Sequence, residues 1–344
     1  MANRITRRRL LQTLGSTGVV LGTGCGSKLS SFAFDAGSGA WADAPEEGLR
    51  VQYIGVGCFL IQWGQTAVLT DPFWSHLPLH RVAFGHIAPD PEQIDPHLPP
   101  LDDVQAVLVG HTHYDHVLDL PYVAPMMHPD AKVFGSETLQ HLYAAEPVAR
   151  PIVPVDEHLA SADEPGQWLK TANERVRILP LRSGHPDQYL FFHFFQGDLE
   201  TPRETPPTRA HHFLEGLTLA WLIDFLDANG RIAQRVYVQT SSRGVPDGLL
   251  PPGVKEEHPV DVALVAMDCA NRKAQGKPNV IDELNPREVI FCHWEDFFRP
   301  KTKPPREIVK VNLPALRKAL PNEPDRTYRF PSWGSVFQFS SPSS

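Results

Sequence analysis

Val104-Gln105-Ala106-Val107-Leu108-Val109-Gly110-His111-Thr112-His113-Tyr114-Asp115-His116 (residues 104–116) is an apolar run that ends in three imidazoles and a carboxylate. The apolar part reads as a buried strand. The segment after Gly110 is then the loop at the C-terminal end of that strand, where chemistry often sits in α/β folds. Alternation along an extended segment sends His111 and His113 to the same side, so both imidazoles can bind one cation, at roughly 2.0–2.1 Å if it is zinc. Asp115 and His116 follow on the turn and can face a second cation. Polar groups this dense behind a buried strand are costly unless something pairs with them.

Working outward, residues 51–54, 58–62 and 66–69 are short β runs separated by glycine-containing turns, a meander ending in Thr70-Asp71-Pro72. Downstream, residues 136–145 have helical spacing, and 150–155 and 176–181 are strand-like, the latter leading into Ser183-Gly184-His185. Residues 197–210 carry Pro202, Pro206 and Pro207 and read as a polar loop laid over one face. The apolar runs 217–225 and 233–240 flank Asp227-Ala228-Asn229-Gly230, a hairpin signal in which Asn-Gly supplies positive φ angles. Two more strands, 260–267 and 288–292, follow, the second ending at His293. No internal repeat is visible, and one α/β domain of αββα type accounts for nearly all of the ordered chain.

Composition narrows the function classes. Of 344 residues 42% are hydrophobic and 21% charged, enough for a sizeable core. A formal charge of -8 lacks the basic footprint of a nucleic-acid binder, which weakens a nuclease reading and leaves a small-molecule or lipid-like substrate. Thirty-four prolines predict ordered loops and short helices. The four cysteines, at 25, 58, 269 and 292, show no paired spacing, and Cys58 and Cys292 read as small buried hydrophobes.

The amino-terminal segment reads as an address. Arg4, Arg7, Arg8 and Arg9 precede an uncharged stretch, residues 10–26, too short to span a bilayer. Thr6-Arg7-Arg8-Arg9-Leu10-Leu11 resembles a bacterial twin-arginine export signal, and the run ending at Cys25 resembles a lipoprotein cleavage site. The expectation is an export signal over 1–30, a flexible tether over 31–48 and the folded domain over 49–344. That places the protein in the periplasm or, through a lipidated Cys25, on the outer side of the inner membrane.

His-x-His-x-Asp-His at 111–116 resembles the signature of the metallo-β-lactamase superfamily, and further matches extend over roughly residues 49–338. The resemblance implies a sandwich of two mixed β-sheets flanked by helices. It implies that His185 completes a first metal site with His111 and His113, that His293 joins Asp115 and His116 at a second, and that Asp71 orients a ligand from behind. The motifs around residues 56–61 and 69–72 and the His293-Trp294 pair are similar to the branch holding N-acyl-phosphatidylethanolamine phospholipase D and the ascorbate-6-phosphate lactonases. The implied activity is hydrolysis of a phosphodiester or a lactone or ester by water activated on one or two Zn²⁺, or another divalent transition metal, with Asp115 as ligand, base or both.

One departure stands out. The family places a metal-bridging aspartate where this chain reads Tyr237-Val238-Gln239-Thr240-Ser241-Ser242, so Gln239 or Thr240 takes that position, or Asp268 substitutes from the next strand. A neutral side chain is a poorer ligand, and a second reading follows: a metal- or ligand-binding protein of the same fold with weak or lost catalysis. His193, His211 and His212 are candidate substrate contacts. Residues 191–195 are an aromatic run suited to core packing or to lining an apolar pocket.

Overall fold

The computed structural model describes residues 29, 32–37, 48–186, 194–309 and 311–340. Its strands are β1 (Asp35–Gly37), β2 (Leu49–Gly55), β3 (Cys58–Trp63), β4 (Thr66–Thr70), β5 (Val104–Leu108), β6 (Lys132–Gly135), β7 (Ile152–Pro154), β8 (Leu169–Lys170), β9 (Val176–Arg182), β10 (Leu219–Leu226), β11 (Ile232–Gln239), β12 (Val262–Ala266), β13 (Glu288–Cys292), β14 (Thr327–Arg329) and β15 (Pro331–Phe339). They form two mixed sheets, ordered β1-β15-β2-β3-β4-β5-β6-β7 and β14-β13-β12-β11-β10-β9-β8. This is the expected αββα sandwich.

Period-two alternation places the core. On β3, Phe59 and Ile61 face the space between the sheets, while Cys58 and Leu60 face outward under the helices. Val68 on β4 points inward and Ala67 and Leu69 outward. Each large apolar side chain so enclosed contributes about 1.5–3 kcal/mol. The pairing Ala67↔Val104 followed by Val68↔Ala106 skips Gln105, so a bulge absorbs the one polar residue in the apolar run. On the outer face of the first sheet, the helices Tyr114–Val117, Leu120–Val123 and Glu137–Leu142 contribute Val117, Leu120, Val123 and Leu139 to a second cluster. Met267–Ala274, at eight residues the longest helix described, covers the other sheet, so the helices are as short as the proline content predicts. No helix among the described residues is long and apolar enough to cross a membrane.

Pairing repeats within the chain. From β2 to β7 it runs through two antiparallel and then three parallel pairings, and from β9 to β14 it does the same. The repeat that no sequence similarity reveals is present in the topology. Because β9 and β11 are each antiparallel to β10, they run in the same sense.

Two further expectations are corrected. The stretch 31–48 is not a tether throughout. Residues 32–37 pack, β1 pairs parallel with β15, and the Phe34 ring lies 4.9 Å from that of Trp294. Phe32 and Phe34 supply the apolar surface that a Ser/Gly/Ala composition hides. The hairpin exists, but only Gly230 has a positive φ, 76°. The Asp227 carboxylate accepts from the N–H groups of Asn229 and Arg231, closing the turn by side-chain capping instead of a left-handed Asn229. Cys25 and, apart from Leu29, the export signal lie outside the described residues; Leu29 is buried in the core.

Candidate metal centre

Strand ends assemble the site. Asp71 follows β4, His111 follows β5, His185 follows β9, Thr240 follows β11 and His293 follows β13. Beyond β5 the chain is pinned: Gly110 N–H donates to Asp71 Oδ1 at 2.6 Å, and Thr112 donates its N–H to the Glu215 carbonyl at 2.9 Å. His113 is still extended and serves as the N-cap of Tyr114–Val117, one helical turn that carries Asp115 and His116. His111, His113, Asp115 and His116 are all buried.

Six donors converge in two groups. The ligating atoms of His111, His113 and His185 lie within 4.8 Å of one another, and so do those of Asp115, His116 and His293. Ring centroids in the first group are 4.6, 4.7 and 4.9 Å apart, and His111 meets His116 at 3.9 Å, so the two groups adjoin. Asp115 Oδ2 stands 3.6 Å from His293 Nε2 and 3.7 Å from His116 Nε2.

The polar accounting fits cations. His116 Nδ1 pairs with Asp71 Oδ2 at 2.8 Å, which fixes the tautomer and leaves the buried Nε2 without a hydrogen bond. Neither ring nitrogen of His111 has a hydrogen-bond partner. A buried polar atom left unmatched costs about 1–3 kcal/mol, and a cation removes that cost. Burial, reinforced by the surrounding imidazoles, holds His111 well below the ordinary histidine pKa, in the neutral form that binds metal. Burial alone would raise Asp115, but His116, His293 and His113 outweigh it and hold the group below the ordinary carboxylate range. His293 goes the other way: burial opposes its charge, and the hydrogen bond and charge of Asp115 prevail. The donor set, five imidazoles and one carboxylate, suits zinc or a neighbouring divalent transition metal.

The backbone around the donors is strained. Val56, Asp71 and His293 have positive φ, 54°, 37° and 60°, a conformation that packing must enforce. His293 N–H donates to the Val56 carbonyl at 2.9 Å, and Val56 N–H donates to Glu295 Oε1 at 2.6 Å. Glu295 also accepts from the Tyr53 hydroxyl at 2.5 Å and Trp333 Nε1 at 3.2 Å. Asp71 requires near neighbours without side chains, since a Cβ at Gly57 would lie 2.5 Å from its Oδ2.

A family model, the beta-lactamase superfamily domain, matches residues 66–294, more than half of the chain. The chain belongs to the metallo-β-lactamase superfamily. Among solved structures, this metallo-β-lactamase-fold chain is similar to Igni18, a metallo hydrolase from the archaeon Ignicoccus hospitalis (15% identity, TM-score 0.51, covering 86% of this chain and 100% of that one). It is also similar to a possible metal-dependent hydrolase from Veillonella parvula (12% identity, TM-score 0.50, covering 85% and 98%). No curated protein matches its sequence significantly.

Within the metallo-β-lactamase frame, the expected bridging position reads differently from either alternative. Gln239 is spent on the fold: its amide donates to Ser183 Oγ at 2.9 Å and the Asp247 carbonyl at 3.3 Å, and its oxygen accepts from Cys269. Thr240 donates to Asp71 Oδ2 at 2.6 Å. Asp268 opens the helix Met267–Ala274 and belongs to neither donor group. His211 and His212 meet edge to face, with His212 Nδ1 accepting from Thr208 N–H, and are not among the six donors. His193 lies outside the described residues. Of the aromatic run, Phe195 reaches the site, 6.5 Å from the His113 ring. Sequence reasoning missed Glu295, although a carboxylate two residues beyond a candidate ligand histidine was a signal.

Proposed function

We propose that the protein is a metal-dependent hydrolase acting on a phosphodiester, lactone or ester bond, in the branch that holds N-acyl-phosphatidylethanolamine phospholipase D and the ascorbate-6-phosphate lactonases. The observation that carries this reading is the convergence of six donors in two adjoining groups, with the buried nitrogens of His111 and His116 unmatched. The solved structures named above are described as a metallo hydrolase and as a possible metal-dependent hydrolase, which supports it. The charge of -8 supports a small-molecule or lipid-like substrate over nucleic acid.

His111, His113 and His185 would hold one ion, and Asp115, His116 and His293 a second. A bound divalent ion supplies a Lewis acid and lowers the pKa of water to about 7. Asp71 keeps His116 in one tautomer and one orientation. Asp115, held as a carboxylate by its neighbours, serves as ligand and as acceptor for the proton of an attacking water. Phe195 and the buried strand ends keep bulk water from one side of the donors.

A specific observation favours a second reading, a binding protein with weak turnover: Gln239 and Thr240 place no carboxylate between the donor groups. Elemental analysis of metal per chain, with turnover of bis(4-nitrophenyl) phosphate and an aryl lactone, separates the two. One or two ions with hydrolysis, both lost in His113→Ala, is expected. Bound metal with neither substrate turned over leaves the binding protein.

A further inference from the structure

Next to His185 a cleft of about 380 Å³ is lined by Pro186, Ser242, Arg243, Asp268, Arg272 and Lys277, among others. Three of those six side chains are cationic and one is acidic, on a molecule whose net charge is -8. The two arginines are held by the fold. A Cβ at Gly184, the residue before His185, would lie 3.0 Å from Arg243 Nε, so this side chain lies against the peptide leading to a candidate ligand. A Cβ at Gly244 would lie 2.5 Å from Arg272 Cζ, and Gly244 adopts φ +105°, so only glycine leaves room for that guanidinium. Arg272 Nε donates to the Pro278 carbonyl at 2.9 Å, and among the described residues Arg272 is in no ion pair. Arg243 pairs with Asp247 through Nε at 3.0 Å, and its side chain remains 69% exposed.

A structural role explains little of this. Arg235, by contrast, has its charge matched, to Asp224 at 2.6 Å. Arg272 is in no ion pair among the described residues, lies against Gly244 and lines an open cleft. Planar guanidinium groups held in this way recognise oxyanions by paired hydrogen bonds.

We infer that this cleft is an oxyanion subsite in which Arg243 and Arg272, assisted by Lys277, hold a phosphate or carboxylate of the substrate while the bond to be cut lies at the neighbouring donor groups. The inference rests on the hydrolase reading and narrows it to substrates carrying an anionic group beside the scissile bond.

The test is calorimetric titration of the full-length, metal-loaded protein with inorganic phosphate and, in a parallel arm, with acetate. Both are repeated on Arg243→Gln/Arg272→Gln and on His113→Ala. The expected result is anion affinity about tenfold or more weaker in the arginine variant, with unchanged metal content and thermal midpoint, and binding retained in His113→Ala. The anion that binds more tightly identifies the group. Unchanged affinity in the arginine variant, binding lost only in His113→Ala, or no binding of either anion in the millimolar range overturns the inference. Should the double variant fail to fold, Lys277→Gln, at an exposed position, is expected to weaken the same titration severalfold, and no change there overturns it equally. Failure of the hydrolase reading registers separately, as absent turnover with the anion titration intact.

Discussion

Asp71 accepts from Gly110 N–H, His116 Nδ1 and Thr240 Oγ1, three donors brought from β5, the turn after it and β11. An amide in its place would present an N–H to at least one of those donors. In Asp71→Asn, metal affinity measured by chelator competition is expected to fall about 10- to 100-fold. An unchanged affinity would mean that His116 needs no orienter. The gathering of His111, His113, Asp115 and His116 was legible because their motif is contiguous and because strand alternation fixes where side chains point. Thr240 was legible as a departure but not as a partner of Asp71, since 169 residues separate the two and only the packing of β4 and β11 in facing sheets brings them together. Glu295 was not legible for the same reason: its acceptor role depends on Tyr53 and Val56, 242 and 239 residues away.

Among the elements, the turn between β2 and β3 and the segment after β13 form one unit, joined by the bonds of Val56 to His293 and Glu295. Glu295→Ala strands two buried donors, those of Tyr53 and Val56, and the half-buried Nε1 of Trp333. At about 1–3 kcal/mol for each buried donor, urea unfolding is expected to show a loss of at least about 2 kcal/mol, with Glu295→Gln losing less. Lys301, buried with Nζ donating to the Ile54 carbonyl at 2.8 Å, belongs to the same unit. Burial outweighs the nearby negative charges and brings its pKa from 10.5 to about 8. Between those values the unfolded chain binds the proton that the folded chain releases, so stability rises as the pH is raised from about 8 to about 10.5. The rise is about 3 kcal/mol and is expected to vanish in Lys301→Met. Unfolding curves at both ends of that window check it, and a slope that survives the substitution would assign the effect elsewhere. Strand positions were readable from alternation, whereas the type of the 227–230 turn was not, because side-chain capping by Asp227 competes with the Asn-Gly preference.

At the scale of the whole molecule, β1 extends the first sheet beyond β15, and Arg317 ties it down by donating to the Ala33 carbonyl and Asp35 while lying 4.4 Å over the Phe32 ring. A chain beginning at Gly48 is expected to lose about 3 kcal/mol in urea unfolding, from the burial of Phe32 and Phe34. Equal stability would make the strand a passenger. Composition concealed this segment because two phenylalanines do not change the average of a Ser- and Gly-rich stretch. The duplicated pairing order has a consequence for the newborn chain. His111, His113, Asp115 and His116 belong to the first copy of the pattern, whereas His185 and His293 arrive with the second, the last of them 182 residues after His111. A nascent chain that has made only β2 to β7 holds an incomplete set at both positions. Cation capture at full strength therefore comes after translation has passed β13 and the two sheets have docked. The ion would act as a latch that closes last, and its presence would certify that folding is finished.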